Sequence, residues 1–426
     1  MTTISRRSFN KMAAGVAATG ALTAPYISRA ATAKPNVIVI GGGAGGATTA
    51  RYIAKESNGT INVVLIEPSK RYYSCFFSNL YLGGFRDYES LGHGYRALAV
   101  DHGINVVHDL AMTIDRQAKS VTLSSGGKLS YDRLVLSPGI DLKYGSVPGY
   151  SPAAASIAPH AYKSGTQVQL LKAKVEAMKE GGVFIMVAPP NPYRCPPGPY
   201  ERISMIATLL KKKNPKAKLI ILDPKENFSK QSLFQAGWNA HYPGMIEWIP
   251  ASTSGPVQNF DMDAMTFETD LETFKADAAN IIPAQSAGRI AHQAELVDKS
   301  GWCPIHPATM QSQFDDNVYI LGDAAIAAAM PKSAFSANSQ AKVVANQIRH
   351  ALVGTRNFPA RYNNTCWSLI AKDDGVKIGA AYQAGEKAIE ATSKFISKPD
   401  ESNDVRSKTY EESVAWYASI TKDMFS

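Results

Sequence analysis

Short apolar runs alternate with helix-like patterns along most of the chain, and the first such unit is the clearest. Residues 37–40 are wholly apolar and β-branched, which is the pattern of a buried parallel strand. A glycine-rich segment follows, after which residues 47–55 have the pattern of a helix and residues 61–66 that of a second strand. This order predicts a βαβ unit with a parallel sheet, and hence an α/β fold.

The turn between the first strand and the helix carries a G-x-G-x-x-G motif at Gly41, Gly43 and Gly46. The first glycine permits a tight turn, the second lets the backbone approach a pyrophosphate, and the third lets helix and strand pack closely. Glu67 ends the second strand, where a carboxylate can accept hydrogen bonds from ribose hydroxyls. Together these features predict a bound dinucleotide. The alternative is a glycine-rich turn in an unrelated α/β domain.

Further patterns extend this unit into a larger, discontinuous domain. Residues 131–139 resemble the returning strand of flavoproteins that bind two dinucleotides, and we expect residues 141–149 to line the nucleotide pocket. A later strand ends in Gly322 and Asp323, a pattern similar to a second flavin motif in which the aspartate meets the ribityl chain or the pyrophosphate region. The other predicted elements are a third parallel strand, a hairpin and a late helix, at residues 104–108, 120–131 and 337–352.

A second α/β unit begins near Lys163, with a helix predicted over residues 166–179 and a strand over residues 183–187. Where a second glycine motif would follow, residues 189–200 contain six prolines. Proline has no N–H and a fixed φ, so this loop cannot form the N–H-lined turn that holds a pyrophosphate. The second unit therefore keeps the order of elements of a nucleotide fold, but we expect it not to bind NADH or NADPH.

Length and charge narrow the class of protein. A chain of 426 residues is long enough for two or three domains with sizeable cores. Residues 1–30 hold four basic residues and no acid, which leaves 41 basic and 36 acidic residues and only a mildly basic protein. We therefore predict no nucleic-acid partner. No apolar run reaches the roughly 18 residues that a membrane-spanning helix needs, so we also predict no membrane insertion.

Residues 1–30 have the pattern of an export signal. Paired arginines at Arg6 and Arg7 precede a weakly apolar run rich in Ala and Gly over residues 12–24. The segment resembles a twin-arginine signal peptide, and the alternative is an ordinary N-terminal tail. Twin-arginine export carries folded proteins, so we predict a periplasmic protein in an oxidising compartment, where disulfides persist.

The four cysteines are Cys75, Cys195, Cys303 and Cys366, and they are too dispersed for a zinc or iron–sulfur pattern. We therefore predict no metal site, and the lack of C-x-x-C-H predicts no c-type haem on this chain. Cys195 lies in the proline-rich loop and Cys303 shortly before the Gly322 motif, so both are expected near a flavin ring. A disulfide in that place can be attacked by hydrosulfide and can pass two electrons to a flavin; the alternative is a structural disulfide. We interpret Cys366 as a buried free thiol.

Four segments together resemble the flavoprotein subunit of flavocytochrome c sulfide dehydrogenase: YYSC at 72–75, YRCPPGPYE at 193–201, GWCP at 301–304 and MPKSAFSANSQAK at 330–342. The resemblance covers essentially the whole mature length. It implies two Rossmann-like dinucleotide-fold domains of glutathione-reductase type plus a smaller C-terminal α+β domain. We place the FAD-binding domain at 34–160 and 280–355, a degenerate NAD-binding-like domain at 161–279 and a C-terminal interface domain at 356–426.

The same resemblance implies roles for individual residues. Cys75 would carry FAD through a thioether to the 8α-methyl group, Cys195 and Cys303 would form the redox-active disulfide, and a c-type cytochrome subunit would bear the haem in a heterodimer. From its position at a helix start, Glu201 is a candidate to handle the proton of hydrosulfide, or else a first-turn acid stabilised by the helix dipole. Lys332 would place positive charge near the reduced flavin, or else is a surface lysine.

These interpretations predict a periplasmic enzyme that oxidises sulfide to sulfur or polysulfide and passes electrons through FAD to a c-type cytochrome. One alternative is a membrane-associated sulfide:quinone oxidoreductase, against which the polar run at residues 397–407 argues. The other is a non-catalytic flavin electron-carrier subunit, against which the cysteines placed near the flavin argue.

Overall fold

A computed structural model describes residues 34–163 and 165–426, so the predicted export signal lies outside the described residues. The first elements build the sheet that carries the glycine-rich turn. In chain order they are β1 (Asn36–Ile40), α1 (Ala44–Glu56), β2 (Asn62–Ile66), β3 (Arg71–Tyr73), α2 (Ser78–Leu82), β4 (Gly92–Gly94), α3 (Arg96–His102), β5 (Asn105–Val107), β6 (Ala111–Asp115), β7 (Ser120–Leu123), β8 (Lys128–Ser130), β9 (Arg133–Leu136) and β10 (Ile140–Leu142).

The middle of the chain builds the second α/β unit, which begins with a helix as predicted. Its elements are α4 (Gln167–Glu176), β11 (Val183–Val187), α5 (Gly198–Lys213), β12 (Lys218–Asp223), α6 (Gln231–His241), β13 (Ile246–Pro250), α7 (Ala251–Ser254), β14 (Val257–Asp261), β15 (Thr266–Thr269), β16 (Thr273–Lys275) and β17 (Ala278–Ile281).

The last third of the chain first returns to the first sheet and then forms a C-terminal layer. Its elements are β18 (Gln285–Ala287), α8 (Arg289–Gln293), β19 (Cys303–Pro304), β20 (Gln311–Ser312), β21 (Asp315–Ile320), β22 (Ala325–Ile326), α9 (Ala334–Val353), β23 (Arg361–Ala371), β24 (Asp374–Ala384), β25 (Ile389–Ile396) and α10 (Asn403–Phe425).

The largest sheet has the strand order β20-β21-β9-β1-β2-β5. β1 lies parallel to both of its neighbours, with Val39 opposite Leu65 on β2 and Val135 on β9. All three side chains are fully buried, as expected of a parallel sheet covered on both faces. Helices α1 and α9 pack against each other beside this sheet. Since β20 and β21 come from residues 311–320, the sheet is completed only when the chain returns to it.

The second unit contains a four-stranded parallel sheet in the order β13-β12-β11-β17. The C-terminal layer is the antiparallel sheet β23-β24-β25 with α10 packed on β24. These sheets confirm the predicted α/β fold, with two Rossmann-like units and a smaller C-terminal α+β part. The predicted domain limits stay a prediction, because residues 35–426 form one compact unit.

Two helices begin earlier than their sequence patterns indicate. α5 starts at Gly198 rather than Glu201, because Pro199 is tolerated in a first turn, where its missing N–H has no helical partner anyway. α9 starts at Ala334 rather than at residue 337, because the hydroxyl of Ser333 caps it by accepting a hydrogen bond from the Ser336 N–H at 3.0 Å.

The glycine-rich turn depends on a close approach between two backbone segments. Gly41 has a φ of +99°, in the region that favours glycine, and its N–H donates to the Ile66 carbonyl at 2.9 Å. A Cβ atom added at Gly46 would lie 1.8 Å from the Gly41 carbonyl oxygen. Any side chain at position 46 would therefore push α1 away from β1.

We expect Gly46→Ala to lower the free energy of unfolding by about 1–3 kcal/mol or more, because backbone has to move to admit the methyl group. The matched control is Gly145→Ala, where an added Cβ meets no atom within 4 Å. Guanidinium unfolding followed by circular dichroism would compare the two midpoints. Equal midpoints for the two variants would contradict the argument.

Candidate functional site

One large cavity of about 560 Å³ opens at the carboxyl ends of the first parallel strands. Its wall combines the glycine-rich turn, the loop that holds Cys75, the start of α5 and the strand β23. The cavity therefore draws residues from all three parts of the fold, and its size suits a cofactor or small ligand.

One end of the cavity is formed by main-chain groups of the β1–α1 turn. Gly43 precedes the first turn of α1 and lines the cavity with Gly41, and a Cβ at position 43 would meet no atom closer than 3.6 Å. Glu67 also lines this end and accepts hydrogen bonds from the Gly42 and Ser69 N–H groups at 2.8 and 2.9 Å. Free N–H groups at a helix start with an acid beside them form a cradle for a dinucleotide.

Asp323 gives an independent sign of a ligand with hydroxyl groups. Its Oδ2 atom accepts a hydrogen bond from Arg194 Nε at 2.6 Å, whereas its Oδ1 atom is buried without a hydrogen-bond partner in the part of the chain that the structure describes. Buried acceptors are normally paired. Both Asp323 and Gly322 line the cavity, so the unpaired oxygen fits a hydroxyl donor of FAD.

Arg194 links this end of the cavity to Cys75. Its Nη1 atom lies 3.6 Å from the Cys75 sulfur and donates to the Tyr162 carbonyl at 3.1 Å. Sequence reasoning missed this arginine, although it stands directly before Cys195 in the proline-rich loop. Because a guanidinium is always charged, the Cys75 sulfur faces a permanent positive charge.

The second group of side chains in the cavity is a sulfur cluster, which we define as Cys195, Cys366 and Glu201. The Cys195 N–H donates to the Lys332 carbonyl at 2.7 Å, and Cys195 has a φ of +56°, a strained conformation for a residue with a side chain. Burial raises the pKa of the Cys195 thiol, and among its charged neighbours Cys366 acts most strongly, followed by Glu201. The structure thus brings Cys195 and Cys366 to the same part of the cavity.

Glu201 lies where the sequence predicted, in the first turn of α5 beside the thiols. Its carboxylate accepts hydrogen bonds from Asn79 Nδ2 and from the Leu369 N–H, both at 2.8 Å. Burial raises the pKa of Glu201, against the opposing effect of these two donors. A carboxyl group beside thiols can accept a proton from a sulfur species and return it.

The structure places Cys195 in the cavity wall and Cys303 outside it, and the pairing of these two residues stays a prediction. Cys303 is fully buried in β19, is not among the residues that line the cavity, and has Lys332 and Asp298 as its charged neighbours. Cys303 lies before the Gly322 motif, on β19, which pairs with β22 and buries the cysteine in the core. Cys366, which we interpreted as a buried free thiol, is a free thiol that is only partly buried and lines the cavity with Cys195.

Lys332 and residues 141–149 also differ from expectation. The Lys332 ammonium donates to the carbonyls of Asp323 and Ala325 at 2.7 and 2.9 Å and lies over the Trp302 ring, outside the cavity wall. Burial lowers its pKa to about 8. It is therefore neither a surface lysine nor a group that faces the cavity. Of residues 141–149, Asp141 alone lines the cavity among the described residues.

The C-terminal segment contributes more than the predicted interface. Trp367 on β23 and Trp416 on α10 are stacked with ring centroids 5.2 Å apart, and Phe335 stacks on Trp416 at 6.0 Å. All three rings line the cavity. Widely separated aromatic residues carry no sequence signal of this kind, so only the fold could identify the wall. Among the described residues, no three His, Cys, Asp or Glu side chains are grouped as a metal site would require.

Comparison with known proteins gives three family matches. Residues 168–283 match the family model of the central part of the sulfide dehydrogenase [flavocytochrome c] flavoprotein chain, and residues 358–425 match that of the flavin-binding part of flavocytochrome c sulphide dehydrogenase. Residues 35–179 match the pyridine nucleotide-disulphide oxidoreductase family.

Individual relatives are more distant. The chain is 25% identical over 362 residues to a mitochondrial sulfide:quinone oxidoreductase of Dictyostelium discoideum, covering 81% of this chain and 77% of that protein. It is 23% identical over 271 residues to the Mus musculus protein of the same name, covering 61% of this chain and 59% of that one. The solved sulfide:quinone oxidoreductase of Aquifex aeolicus shares the fold, with a TM-score of 0.72 and 16% identity over 91% of this chain and 92% of that chain.

The two sulfide dehydrogenase models match the parts of the chain that carry the sulfur cluster, and the third matches the part that carries the nucleotide cradle. The cradle and the unpaired Asp323 oxygen agree with the flavin that these families bind. The family matches therefore indicate a flavocytochrome c sulfide dehydrogenase flavoprotein subunit, which is an oxidoreductase, and they support FAD as its cofactor.

Proposed function

We propose that this protein oxidises sulfide at the sulfur cluster, with FAD as the first electron acceptor and a c-type cytochrome subunit as the second. The observation that carries the proposal is the presence of Cys195 and Cys366 in one cavity with the nucleotide cradle. FAD, when bound, accepts two electrons and releases them singly.

The chain's own residues suit this cofactor. The turn at Gly41 to Gly46 and the start of α1 would hold the pyrophosphate, Glu67 the ribose, and the unpaired oxygen of Asp323 a hydroxyl of the ribityl chain. Cys75 would form the thioether to the flavin, with Arg194 close to its sulfur.

The proposed chemistry starts from a disulfide between Cys195 and Cys366, in place of the pair predicted from the sequence. Hydrosulfide attacks one sulfur, the disulfide bond breaks, a new S–S bond forms to the substrate sulfur, and the other cysteine leaves as a thiolate. Glu201 takes the proton of the bound sulfur species. Overall, hydrosulfide yields sulfur at oxidation state zero, one proton and two electrons, for which FAD would be the acceptor when bound.

The second α/β unit supports a donor other than a nicotinamide. Asp223 ends β12 at the position that corresponds to Glu67 in the first unit, but it is buried and accepts hydrogen bonds from Tyr200 at 2.6 Å and Trp248 at 2.9 Å. Lys225 donates to the same carboxylate at 2.6 Å and to the carbonyl of Pro189 at 2.7 Å. The Asp223 carboxylate therefore accepts hydrogen bonds from protein groups, and Lys225 links it to the proline-rich loop.

We further propose periplasmic export by the twin-arginine route and a heterodimer with a haem-bearing cytochrome subunit. The paired arginines near the N-terminus support the export. The lack of C-x-x-C-H in the sequence agrees with a haem carried by a partner subunit. None of the helices within the described residues is long and apolar enough to span a bilayer.

A second candidate is quinone reduction, which the names of the relatives in Dictyostelium and mouse favour. Both candidates share sulfide oxidation and differ in the electron acceptor. Measuring which acceptor the protein reduces faster with sulfide therefore distinguishes the two candidates.

We expect Cys195→Ser and Cys366→Ser each to slow sulfide-driven bleaching of the flavin by about a thousandfold or more, because either change removes one sulfur of the pair. FAD should stay bound in both variants, and Cys303→Ser is the matched control that should bleach normally. Stopped-flow absorbance after mixing with sulfide measures the rate. Normal bleaching in Cys366→Ser, or loss of bleaching in Cys303→Ser, would refute the assignment.

Replacement of Cys75 by Ser should release FAD into the supernatant on acid precipitation, since no thioether can then form. The wild-type protein and Cys303→Ser should keep yellow colour in the pellet. The measurement is flavin absorbance in both fractions. Complete release of FAD from the wild-type protein would eliminate the thioether but leave sulfide oxidation intact.

Material purified from the native source should contain haem and flavin in a constant ratio and should reduce cytochrome c with sulfide faster than it reduces a soluble quinone analogue. Faster quinone reduction without haem would favour the second candidate.

NADH at millimolar concentration should not bleach the flavin, because prolines replace the second glycine turn and protein groups bind Asp223.

A further inference from the structure

A buried lysine outside the cavity wall faces the sulfur cluster. Lys230 stands directly before α6 and is 5% exposed, which is rare for a lysine. Its ammonium donates to the Cys366 carbonyl at 3.1 Å and to the Ser368 hydroxyl at 2.8 Å. Neither partner is an acid, so no carboxylate hydrogen-bonds this cation in the described structure.

The charged groups around this lysine are those of the sulfur cluster. The charge of Cys366 raises the pKa of Lys230 most, and the charges of Glu201 and Cys195 raise it less, so each favours the protonated ammonium. Burial opposes them and lowers the pKa of Lys230 to about 8. The lysine is thus largely charged at neutral pH, and a thiolate on Cys366 would be its natural counter-charge.

The surroundings of Cys366 also show which groups oppose and which assist its ionisation. Burial raises the pKa of the Cys366 thiol, whereas a hydrogen bond from Asn364 Nδ2, 3.4 Å from the sulfur, and the charge of Lys230 lower it. Ser333 assists them, and the Glu201 carboxylate opposes them. Two further titratable groups near the Cys366 thiol are Tyr382 on β24 and Cys195.

We propose that Lys230 is a positioning residue that holds positive charge against Cys366, so that Cys366 is the thiolate released when hydrosulfide attacks Cys195. The inference rests on the proposed function. In this step the Cys195–Cys366 bond breaks, a bond forms between Cys195 and the substrate sulfur, and the electron pair of the broken bond stays on Cys366. A low thiol pKa makes a cysteine the better leaving group, so the charge of Lys230 sets the direction of the exchange.

The geometry explains how one lysine can act selectively on one of two thiols. Lys230 binds main chain at Cys366 and the hydroxyl of Ser368, while Glu201 binds the Leu369 N–H on the same strand. The cation is therefore tied to the strand that carries Cys366. Cys195 instead lies in the loop before α5, where the charge of Glu201 raises the pKa of its thiol more than the charge of Lys230 lowers it.

The experiment measures thiolate formation without sulfide. The reduced holoprotein is alkylated with iodoacetamide from pH 6 to 11, and peptide mass spectrometry follows the rate at Cys366. We expect Lys230→Met to move the midpoint upward by about one pH unit, which makes alkylation at pH 7 roughly tenfold slower. Lys230→Arg keeps the charge and should keep the midpoint. Lys172→Met removes a lysine that binds only a backbone carbonyl and the Tyr81 ring face, and it should also leave the midpoint unchanged.

A second variant moves the midpoint in the opposite direction. Glu201→Gln removes the carboxylate that opposes ionisation and should lower the Cys366 midpoint, which keeps the inference testable if Lys230→Met does not fold. Equal midpoints for the wild-type protein, Lys230→Met and Glu201→Gln would overturn the proposal, as would equal shifts in Lys230→Met and Lys172→Met. Failure of wild-type flavin to bleach with sulfide would instead overturn the proposed function and leave the alkylation result standing.

Discussion

The candidate site depends on the hydrogen bonds between the second α/β unit and strand β23. Glu201 on α5 accepts the Leu369 N–H, and Lys230 before α6 donates to the Cys366 carbonyl. These two contacts hold β23 against the second α/β unit at the cavity wall. They join the strand that carries Cys366 to the unit that carries Cys195, which is 171 residues earlier in the chain. Buried charged groups with hydrogen-bond partners suit this task because a shift of the strand would leave them unpaired.

The two α/β units show how one fold can keep or lose a ligand site. In the first unit the turn at Gly41 to Gly46 leaves N–H groups facing the cavity, and Glu67 touches only neighbouring main chain. In the second unit prolines occupy the turn, and the corresponding acid, Asp223, is enclosed by Tyr200, Trp248 and Lys225. The difference lies in the groups that reach the acid, because the parallel strands and their order are retained.

The strained backbone at Cys195 fits the same picture. Its N–H is bound by the Lys332 carbonyl, and its own carbonyl accepts from the Gly198 N–H at 2.7 Å. A positive φ in a residue with a side chain persists only where surrounding contacts hold it. Here those contacts come from the segment that leads into α9 and from the start of α5. Cys195 is thus presented to the cavity by two separate parts of the chain.

The sequence by itself determined the α/β fold, the glycine-rich turn, the acid after β2 and the proline-rich loop that replaces a second glycine turn. Each of these features follows from a local pattern of apolar, glycine or proline residues. It also singled out Cys195 and Glu201, which share one short segment. Only the tertiary structure showed that Cys366, and not Cys303, lines the cavity with Cys195. Cys303 and Cys366 are both far from it in sequence, and the choice depends on β19 turning Cys303 into the core while β23 crosses the cavity. Long-range pairing of this kind follows from how the sheets and helices pack, which no local pattern encodes.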